Sequence, residues 1–595
     1  MIVAKPTWTA DIQGLFSAPY WIPATERAAV AATWVGCMNA YEVFLEDPGS
    51  VKTWSQTIYQ HLASRNMPLT TDPQQFWPID ALETFRQWVN QGWRLDADSP
   101  FDVAERIPPP TLPQPVQRVR QDIRALSPEQ LNRYRARLDD VMHIGDPDSG
   151  APWQRYAYIH TNWCLHYQEA FALWHRAYLL YLEALIDCPI PYWDWMAADA
   201  SVDGSPQAGL PQAFLDETYV HPHTGEVRRN PLRYAAAKDG RSKVCARGDV
   251  DGVDCLYVQR NPLFYTQGEA FRIERTRLYG MSRIFQQQVV DALAFSTFSQ
   301  PQGVPGYPWA NITSFDPPQP DNLYPNRALN FDGLYEQPHD NYHGWIGGDM
   351  ADNAYTAFDP VFCSYHANID RMLEVWIRAN PAAQYTTQCV LQPFAGREAN
   401  SVNFTSADAW CYTTLGDMAQ DSRHIGYDYG APVAPQFGAT KTCCQAHAAS
   451  TGPWVVFDHV RCTHDTFLID VFLNQPDASV HHVSADNPHY VGRFSRIGMG
   501  LVDDKGRCIT QGVSRALNAA RSAKALSLTP TDAAQLSLIV THLDSGQVLA
   551  PDAYAPLPGF IAQLVWDDPR LTAAGPAPRA GCCSTSANTN AGEPT

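Results

Sequence analysis

Two groups of histidines are the residues in this sequence whose types and spacing could do chemistry. His166 and His175 lie nine residues apart, with further histidines before them, and much later His339 and His343 are followed by His366. Neutral imidazole nitrogens bind copper, zinc, iron and nickel. Neither group brings a carboxylate ligand with it, so the sequence favours a pair of copper ions over zinc or iron.

The later group has the more regular spacing. His339 and His343 are four residues apart, so on a helix both imidazoles project from one face. His366 stands just before a second predicted helical stretch, 368–377. Three nitrogens from two helices form a site with an open position, which is typical of catalytic rather than structural metals.

The earlier group leaves its third ligand open. We expect His175 on a helix over 169–186 and His166 on the segment that enters it. The third ligand is either His160 or His143. The other interpretation of His143 is a histidine at a helix C-terminus, where the helix dipole favours a positive charge.

Aromatic residues accompany both groups at helical spacing. Phe171 stands four residues before His175, and Phe362 stands four residues before His366. Side chains four apart share one helix face. The pattern therefore predicts that Phe171 and Phe362 wall a dry cavity around the metals.

The elements that must position these residues are mainly helical. Helices are predicted over 116–141 and 270–295. A helix N-cap is predicted at Ser127, because Pro128 follows it and Gln130 stands at the capping-box position. A helix from Ile79 with Leu82, Phe85 and Val89 on one face is predicted further upstream. From Trp454 onward apolar and polar residues alternate, as in the strands of a β-sandwich.

The predicted organisation has four parts. Residues 1–112 form a helical N-terminal extension that ends in a proline-rich linker, and 113–430 form the catalytic domain. Residues 431–571 form a β-sandwich-like domain, and 572–595 form a mobile tail.

Composition limits the partners. The net charge is −19, which argues against nucleic acid and anionic membranes. No basic start followed by an apolar run marks a secretory signal, so a cytoplasmic location is favoured while secretion stays open. Cys245 and Cys255 could bridge in an oxidising compartment and would be thiols in the cytosol. We expect a small phenolic substrate, and an oligomer stays open.

The chain resembles the type-3 copper proteins, which are the tyrosinases, catechol oxidases and hemocyanins, over about 116–430. The matching segments are 120–129, 157–160, 164–166, 171–179, 191–195, 339–343, 359–371 and the Tyr427-x-Tyr429 motif. The resemblance implies a mainly α catalytic domain, a four-helix bundle around a binuclear copper site. It assigns the two sets of metal ligands: His160, His166 and His175 for the first copper, and His339, His343 and His366 for the second. The family pattern aromatic-x-x-x-Ala-x-Ile before the first ligand favours His160 over His143.

The resemblance also implies roles for residues around the ligands. Cys164 would form a thioether with His166, and Glu336 and Asp340 would accept the proton of a phenol, directly or through water. The other interpretation is that both carboxylates only orient imidazoles. Gly344 and Asn353 stand at pocket positions that are bulky in many members, which predicts an open pocket.

The implied activity is oxidation of o-diphenols to o-quinones with O₂ as co-substrate, with ortho-hydroxylation of monophenols as well. In several members a C-terminal domain covers the copper site and makes the enzyme latent. An o-aminophenol oxidase and a hemocyanin-like oxygen carrier are the alternatives. A dinuclear zinc or iron enzyme is a third, which the absence of carboxylate ligands disfavours.

Overall fold

Helices dominate the part of the chain that carries the six histidines. In a computed structural model, this part contains the following helices: α5 Pro128–Met142, α6 Pro152–Trp163, α7 Ala170–Ile186, α8 Arg272–Gly280, α9 Ser282–Leu293, α10 Phe331–Ile346, α11 Val361–Ala379, α12 Leu415–Met418 and α13 Ser422–Ile425. The model describes residues 3–571 except 4, 41–42, 64–66, 69, 71, 91–92, 100–117, 145–150, 165, 167–169, 267, 299–328, 384–414, 431–451, 461–462, 499–512, 555–560 and 569–570. The predicted linker from 107 and the tail 572–595 lie outside the described residues.

Three helix boundaries differ from the sequence prediction. The helix predicted from residue 116 begins at Pro128, because Arg118–Arg120 form strand β1 beside the later strand β4, Tyr427–Tyr429. The predicted helix 270–295 is two helices, α8 and α9. His366 lies inside α11 rather than before it, since that helix already begins at Val361. The N-cap prediction is confirmed, with the capping box of Ser127 and Gln130 in place.

The N-terminal part is also helical. Its helices are α1 Gln13–Ser17, α2 Arg27–Asn39, α3 Pro48–Ala63 and α4 Ile79–Asn90. Leu82 and Phe85 of α4 are buried as predicted, next to Trp88. The side chain of Val89 is outside the described residues.

The C-terminal part is a sandwich of two antiparallel sheets. Its strands are β5 Trp454–Val460, β6 Phe467–Leu473, β7 Tyr490–Arg496, β8 Val513–Asn518, β9 Leu536–His542, β10 Val548–Leu549 and β11 Ile561–Val565. The first sheet has the order β10-β9-β6-β7 and the second β11-β5-β8. Phe457 and Phe494 meet between them with ring centroids 4.8 Å apart. The helix-rich central part and this β-rich part confirm the predicted fold class.

Short elements complete the chain. Strands β2 Thr218–Val220 and β3 Val227–Arg229 form a hairpin, and helices α14 Ala520–Ala525 and α15 Pro551–Tyr554 lie within the sandwich part. Cys245 and Cys255 form a disulfide with Cα atoms 5.8 Å apart. Disulfides persist in oxidising compartments, so the cytoplasmic location stays a prediction. None of the helices in the described ranges is long and apolar enough to cross a membrane.

The sandwich docks directly on α10. The amide of Ala516 on β8 donates to the Gln337 side chain at 3.0 Å, and the Ser495 hydroxyl on β7 donates to Asn341 Oδ1 at 3.0 Å. Another contact holds the loop after α10. There the backbone N–H of Asn353 donates to the carbonyl of Gly498 at 2.8 Å. The β-rich part therefore touches the helix that carries His339 and His343.

Candidate metal centre

The second histidine group converges to one point. The Nε2 atoms of His339 and His343 on α10 are 2.9 Å apart, and those of His339 and His366 are 3.2 Å apart. The third pair, His343 and His366, is separated by 3.4 Å. Helical spacing on α10 supplies two of the nitrogens and α11 supplies the third.

The positions of the ring protons in this group leave lone pairs that a cation would bind. Nδ1 of His343 lies 2.8 Å from the carbonyl of Met350, and Nδ1 of His339 lies 3.1 Å from Oδ1 of Asp340. Both partners only accept, so in the neutral imidazoles Nδ1 carries the proton and Nε2 presents a lone pair. Two lone pairs 2.9 Å apart repel unless a metal ion lies between them. The residues therefore fit a bound metal.

The first group is built by α6 and α7. His160 lies on α6, His175 lies on α7, and His166 lies on the segment between the two helices. One ligand nitrogen from each lies within 4.8 Å of the others. Nδ1 of His175 donates to the carbonyl of Phe171 at 2.7 Å, so its Nε2 presents a lone pair here too.

His143 does not take part in the first group. It ends α5 in the left-handed conformation with φ of 48° and is exposed. Of the two residues that the sequence left open, the structure places His160 with His166 and His175.

The two groups face each other. The rings of His175 and His366 stack with centroids 4.4 Å apart. Phe171 contacts His339 at 4.6 Å, and Phe362 contacts His366 at 4.0 Å and His160 at 4.8 Å. The two phenylalanines thus lie against ligands of both groups.

Burial keeps the six imidazoles neutral. It lowers the pKa of His343 to about 4 and that of His175 to about 3. It lowers the pKa of the other four well below the ordinary histidine value. Metal ligation needs the deprotonated ring, so the site is ready to bind near neutral pH.

A buried charge network joins the helices behind the metals. Nε of Arg176, the residue after His175, lies 2.6 Å from Oδ1 of Asp370, one turn after His366. Asp370 also pairs with Arg120 at 2.9 Å and accepts from the hydroxyls of Tyr427 and Tyr429. Although burial opposes its ionisation, Arg176 and Arg120 lower the pKa of the Asp370 carboxyl. The Arg176–Asp370 pair therefore joins α7 to α11, and the tyrosine motif donates hydrogen bonds to the same carboxylate.

The pocket is closed, which differs from the expectation of an open one. A Cβ added at Gly344 would lie 3.1 Å from Cδ2 of Leu468 and 3.3 Å from Oγ of Ser495, so the sandwich fills the space that this glycine leaves. The cavity beside the second group is lined by three of the histidines together with Asp340, Asn353, Thr356 and Ile497, and has about 10 Å³ of space. That holds about one water molecule, and a phenol does not fit.

The two carboxylates occupy different surroundings. Asp340 lines the cavity and holds Nδ1 of His339, which is the geometry of an imidazole-orienting acceptor. Glu336 is fully buried on α10 one turn before His339. Its role as a proton acceptor stays a prediction, as does that of Asp340.

The Cys164 thiol contacts the side-chain amide of Asn353. Nδ2 of Asn353 lies 3.1 Å from its sulfur, so both side chains are committed to one hydrogen bond at the cavity wall. Burial raises the pKa of the Cys164 thiol to about 12, and the carboxylate of Glu336 acts in the same direction. The thioether with His166 stays a prediction.

Sequence reasoning missed every site residue that the sandwich contributes. Ile497 lines the cavity, and Nη2 of Arg515 lies 3.4 Å from Oδ2 of Asp340. Neither has a local signal, because the partners are more than 130 residues away in the chain. Arg515 stands among buried residues of β8, but it indicates a buried ion pair only once both faces of that strand are known to be covered.

Comparison with known proteins supports this geometry. The family model described as the common central domain of tyrosinase matches residues 150–379. The chain is 26% identical over 327 residues to a tyrosinase of Streptomyces antibioticus, an alignment that covers 52% of this chain and 99% of that protein. It is 25% identical over 282 residues to a G-type hemocyanin (units Oda to Odg) of Enteroctopus dofleini, covering 43% of this chain and 8% of that protein.

The fold has a solved counterpart as well. The structure of deoxygenated hemocyanin from Rapana thomasiana matches with a TM-score of 0.50 at 16% identity, covering 75% of this chain and 98% of that one. All six histidines lie within the segment that the tyrosinase model matches. Residues 150–379 thus match the central domain of the tyrosinase family, and the chain is similar in sequence to both a tyrosinase and hemocyanins, which are type-3 copper proteins. It spans only a small part of the length of the multi-unit hemocyanins, 8% for the G-type protein.

Proposed function

We propose that this protein is a copper-dependent oxidase that uses O₂ to oxidise o-diphenols to o-quinones and that also hydroxylates monophenols at the ortho position. The observation that carries the proposal is the convergence of three Nε2 atoms within 2.9–3.4 Å, directly beside a second group of three histidines. All-imidazole donor sets suit copper. When bound, a copper pair supplies the two-electron chemistry that dioxygen needs.

The chain's own residues supply position, dryness and a proton acceptor. Phe171 and Phe362 keep water from the imidazoles, and buried acceptors fix the proton of His343 and His175 on Nδ1. Each o-diphenol gives up two electrons and two protons, so two diphenols and one O₂ give two quinones and two waters. In this proposal Glu336 and Asp340 accept the phenolic proton, through water where the distance requires it.

We further propose that the described conformation is latent. The cavity is too small for a phenol, and Ile497 from the sandwich forms part of its wall. Substrate therefore reaches the metals only after the sandwich has moved away from the cavity. If the open form is populated at about 1–10%, releasing the sandwich raises the rate about 10- to 100-fold.

The test compares one chain before and after release. A protease recognition sequence placed between residues 431 and 451 allows the full-length protein to be cut after purification. Oxygen uptake with a simple catechol and with its matching monophenol is then measured on copper-loaded protein. The same protein without the recognition sequence, treated with the protease, is the control. A copper-loaded protein that oxidises neither substrate in either state would sink the oxidase proposal.

Ile497→Ala tests the wall without cutting the chain. Because the variant only enlarges the cavity, we expect faster catechol oxidation by the uncut protein. Val540→Ala, a truncation in the core of the sandwich away from the metals, is the matched control and should leave the rate low. Equal rates in the two variants would show that general loosening, not the cavity wall, limits access.

A second candidate function is oxygen carriage. The same closed cavity favours it, because O₂ is small enough for a site that excludes phenols. Reversible, O₂-dependent absorption with no catechol turnover after release of the sandwich would select the carrier. Turnover of an o-aminophenol but not of catechol in the same assay would select an aminophenol oxidase.

The Cys164–His166 thioether is part of the proposal. The cysteine stands two residues before the ligand, and its thiol accepts a hydrogen bond from Asn353, which lines the metal cavity. Forming the bond removes two hydrogen atoms, so mass spectrometry of copper-exposed protein should show a cross-linked peptide lighter by that amount. Cys164→Ser should not show it.

A further inference from the structure

Two arginines of the sandwich are fully buried, and one of them reaches a residue beside the second metal site. Arg496 ends β7 and Arg515 lies in β8, and both side chains are completely inaccessible to solvent. Removing a guanidinium from water is costly unless a counter-charge and hydrogen bonds compensate. The location of that counter-charge therefore shows what these arginines do.

Asp340 is the counter-charge for Arg515. Nη2 of Arg515 lies 3.4 Å from Oδ2 of Asp340, and neither residue is accessible to solvent beyond 1%. The other oxygen, Oδ1, lies 3.1 Å from Nδ1 of His339. One carboxylate thus connects a guanidinium of the sandwich with a metal-ligating imidazole.

The register of β8 on α10 fixes this connection. The amide of Ala516, the next residue after Arg515, donates to Oε1 of Gln337, which lies three residues before Asp340. On the neighbouring strand, the carbonyl of Arg493 accepts from Nδ2 of Asn341 at 2.8 Å. Backbone contacts on both sides of Asp340 therefore hold the guanidinium in place.

At the first metal site, the support of His175 comes from its own helix. Nδ1 of His175 donates to the carbonyl of Phe171, which lies on the same helix. This contact forms with α7 itself, so it does not depend on the sandwich. The two sites differ in where the support of their imidazoles comes from.

We propose that Arg515 is a positioning residue of the second metal site, so that the sandwich completes this site as well as covering it. Arg515 holds the Asp340 carboxylate against Nδ1 of His339, and this contact keeps the lone pair of Nε2 aimed at the metal. The inference rests on the proposed metal-dependent function, and it deepens that function by making the C-terminal domain part of the metal centre.

The test measures copper retention site by site in the full-length chain. Arg515→Gln is placed in a His175→Ala background, which leaves the second site, and in a His343→Ala background, which leaves the first. Copper per chain is determined after dialysis against graded chelator. Loss of an outer partner of a ligand weakens metal binding by about 10- to 100-fold. We expect at least about a tenfold loss in the first background and none in the second.

Matched variants separate positioning from stability. Arg493→Gln removes another arginine of the sandwich, on β7 of the other sheet, whose partner is Asp470 within the sandwich, and should leave copper retention unchanged. Arg515→Lys keeps the positive charge and should restore part of the affinity. Asp340→Asn should weaken the second site to the same degree as Arg515→Gln, and the double variant should be no weaker than either. Arg515→Lys and Asp340→Asn still decide the question if Arg515→Gln does not fold.

Some outcomes would overturn the inference. Equal copper loss from both sites, or equal loss in Arg493→Gln and Arg515→Gln, would mean that Arg515 acts only through general stability. Unchanged retention in Arg515→Gln and Asp340→Asn would also refute it. A wild-type protein that holds two copper ions without oxidising any phenol would refute the oxidase proposal alone, since the retention measurements do not use activity.

Discussion

The two histidine groups use the same ligands but are supported differently. The first is completed within the helical domain, by α6, α7 and the segment between them. The second lies on α10 and α11, where the sandwich reaches its carboxylate and its cavity. The difference shows that one metal-binding group can be assembled by local helix geometry, while its neighbour depends on a domain more than 100 residues further along the chain.

The largest expected effect comes from removing one ligand of either group. His175→Ala and His343→Ala should each abolish catechol oxidation by at least about 1,000-fold, because a bound metal supplies several kcal/mol to the reaction. Oxygen uptake and copper per chain measure the outcome.

His143→Asn is the control for these ligand variants. Asparagine tolerates the left-handed conformation of this position, so activity should stay at the wild-type level. If His143→Asn lost copper as His160→Ala does, the assignment of the first group would be wrong.

The next largest effect tests what the two sites share. Asp370→Asn removes the charge that binds Arg120 and Arg176, leaving buried guanidiniums uncompensated. Breaking such a pair costs about 3–5 kcal/mol in the free energy of unfolding. Denaturant titration of the metal-free protein should show this loss. Since the network joins α7 to α11, copper retention should fall at both sites, in contrast to Arg515→Gln.

A smaller effect concerns the pH dependence of the contact between α9 and the sandwich. Burial raises the pKa of Asp291 to about 6, and its side chain faces Asn518 of β8. The folded state therefore binds this proton more tightly than the unfolded state, whose carboxyl titrates near its usual value of about 4. Binding of this proton therefore stabilises the folded state. The stabilisation is complete below about pH 4 and is lost as the pH rises through about 6.

Asp291→Asn should remove that pH dependence. The wild-type protein should gain about 1–3 kcal/mol from Asp291 between pH 7.5 and pH 4.5, and the variant should not. The difference between the two proteins at each pH isolates this carboxyl from the others. Parallel stability curves for wild type and variant would contradict the assignment.

The smallest effect is expected at the edge of the sandwich. Arg247 in the disulfide-closed loop pairs with Asp465 at 3.2 Å, but its side chain is 76% exposed. Exposed pairs contribute about 0–1 kcal/mol. Arg247→Ala should leave both stability and copper retention close to wild type. A large loss here would mean that surface charges, rather than Arg515 and the contacts on α10, dock the sandwich.

Much of the site was predictable from the sequence because it is local. The spacing of His339 and His343 requires a common helix face, and the four-residue spacing of Phe171 and His175 places an aromatic ring beside its ligand. The alternating pattern in 467–473 and 536–540 predicted strands, and the structure has strands at Phe467–Leu473 and Leu536–His542. The start of α5 was missed because 118–120 pairs with a strand 309 residues later, which local propensity does not report.

The sequence by itself determined the six histidines, the helical domain and the β-rich part, since each follows from side-chain chemistry or from periods of 3.6 and 2 residues. Only the tertiary structure decided that Gly344 leaves room for Leu468 rather than for a substrate and that Arg515 meets Asp340. These outcomes depend on which distant segments pack against α10. Packing across such distances is set by the whole core, so no stretch of sequence encodes it locally.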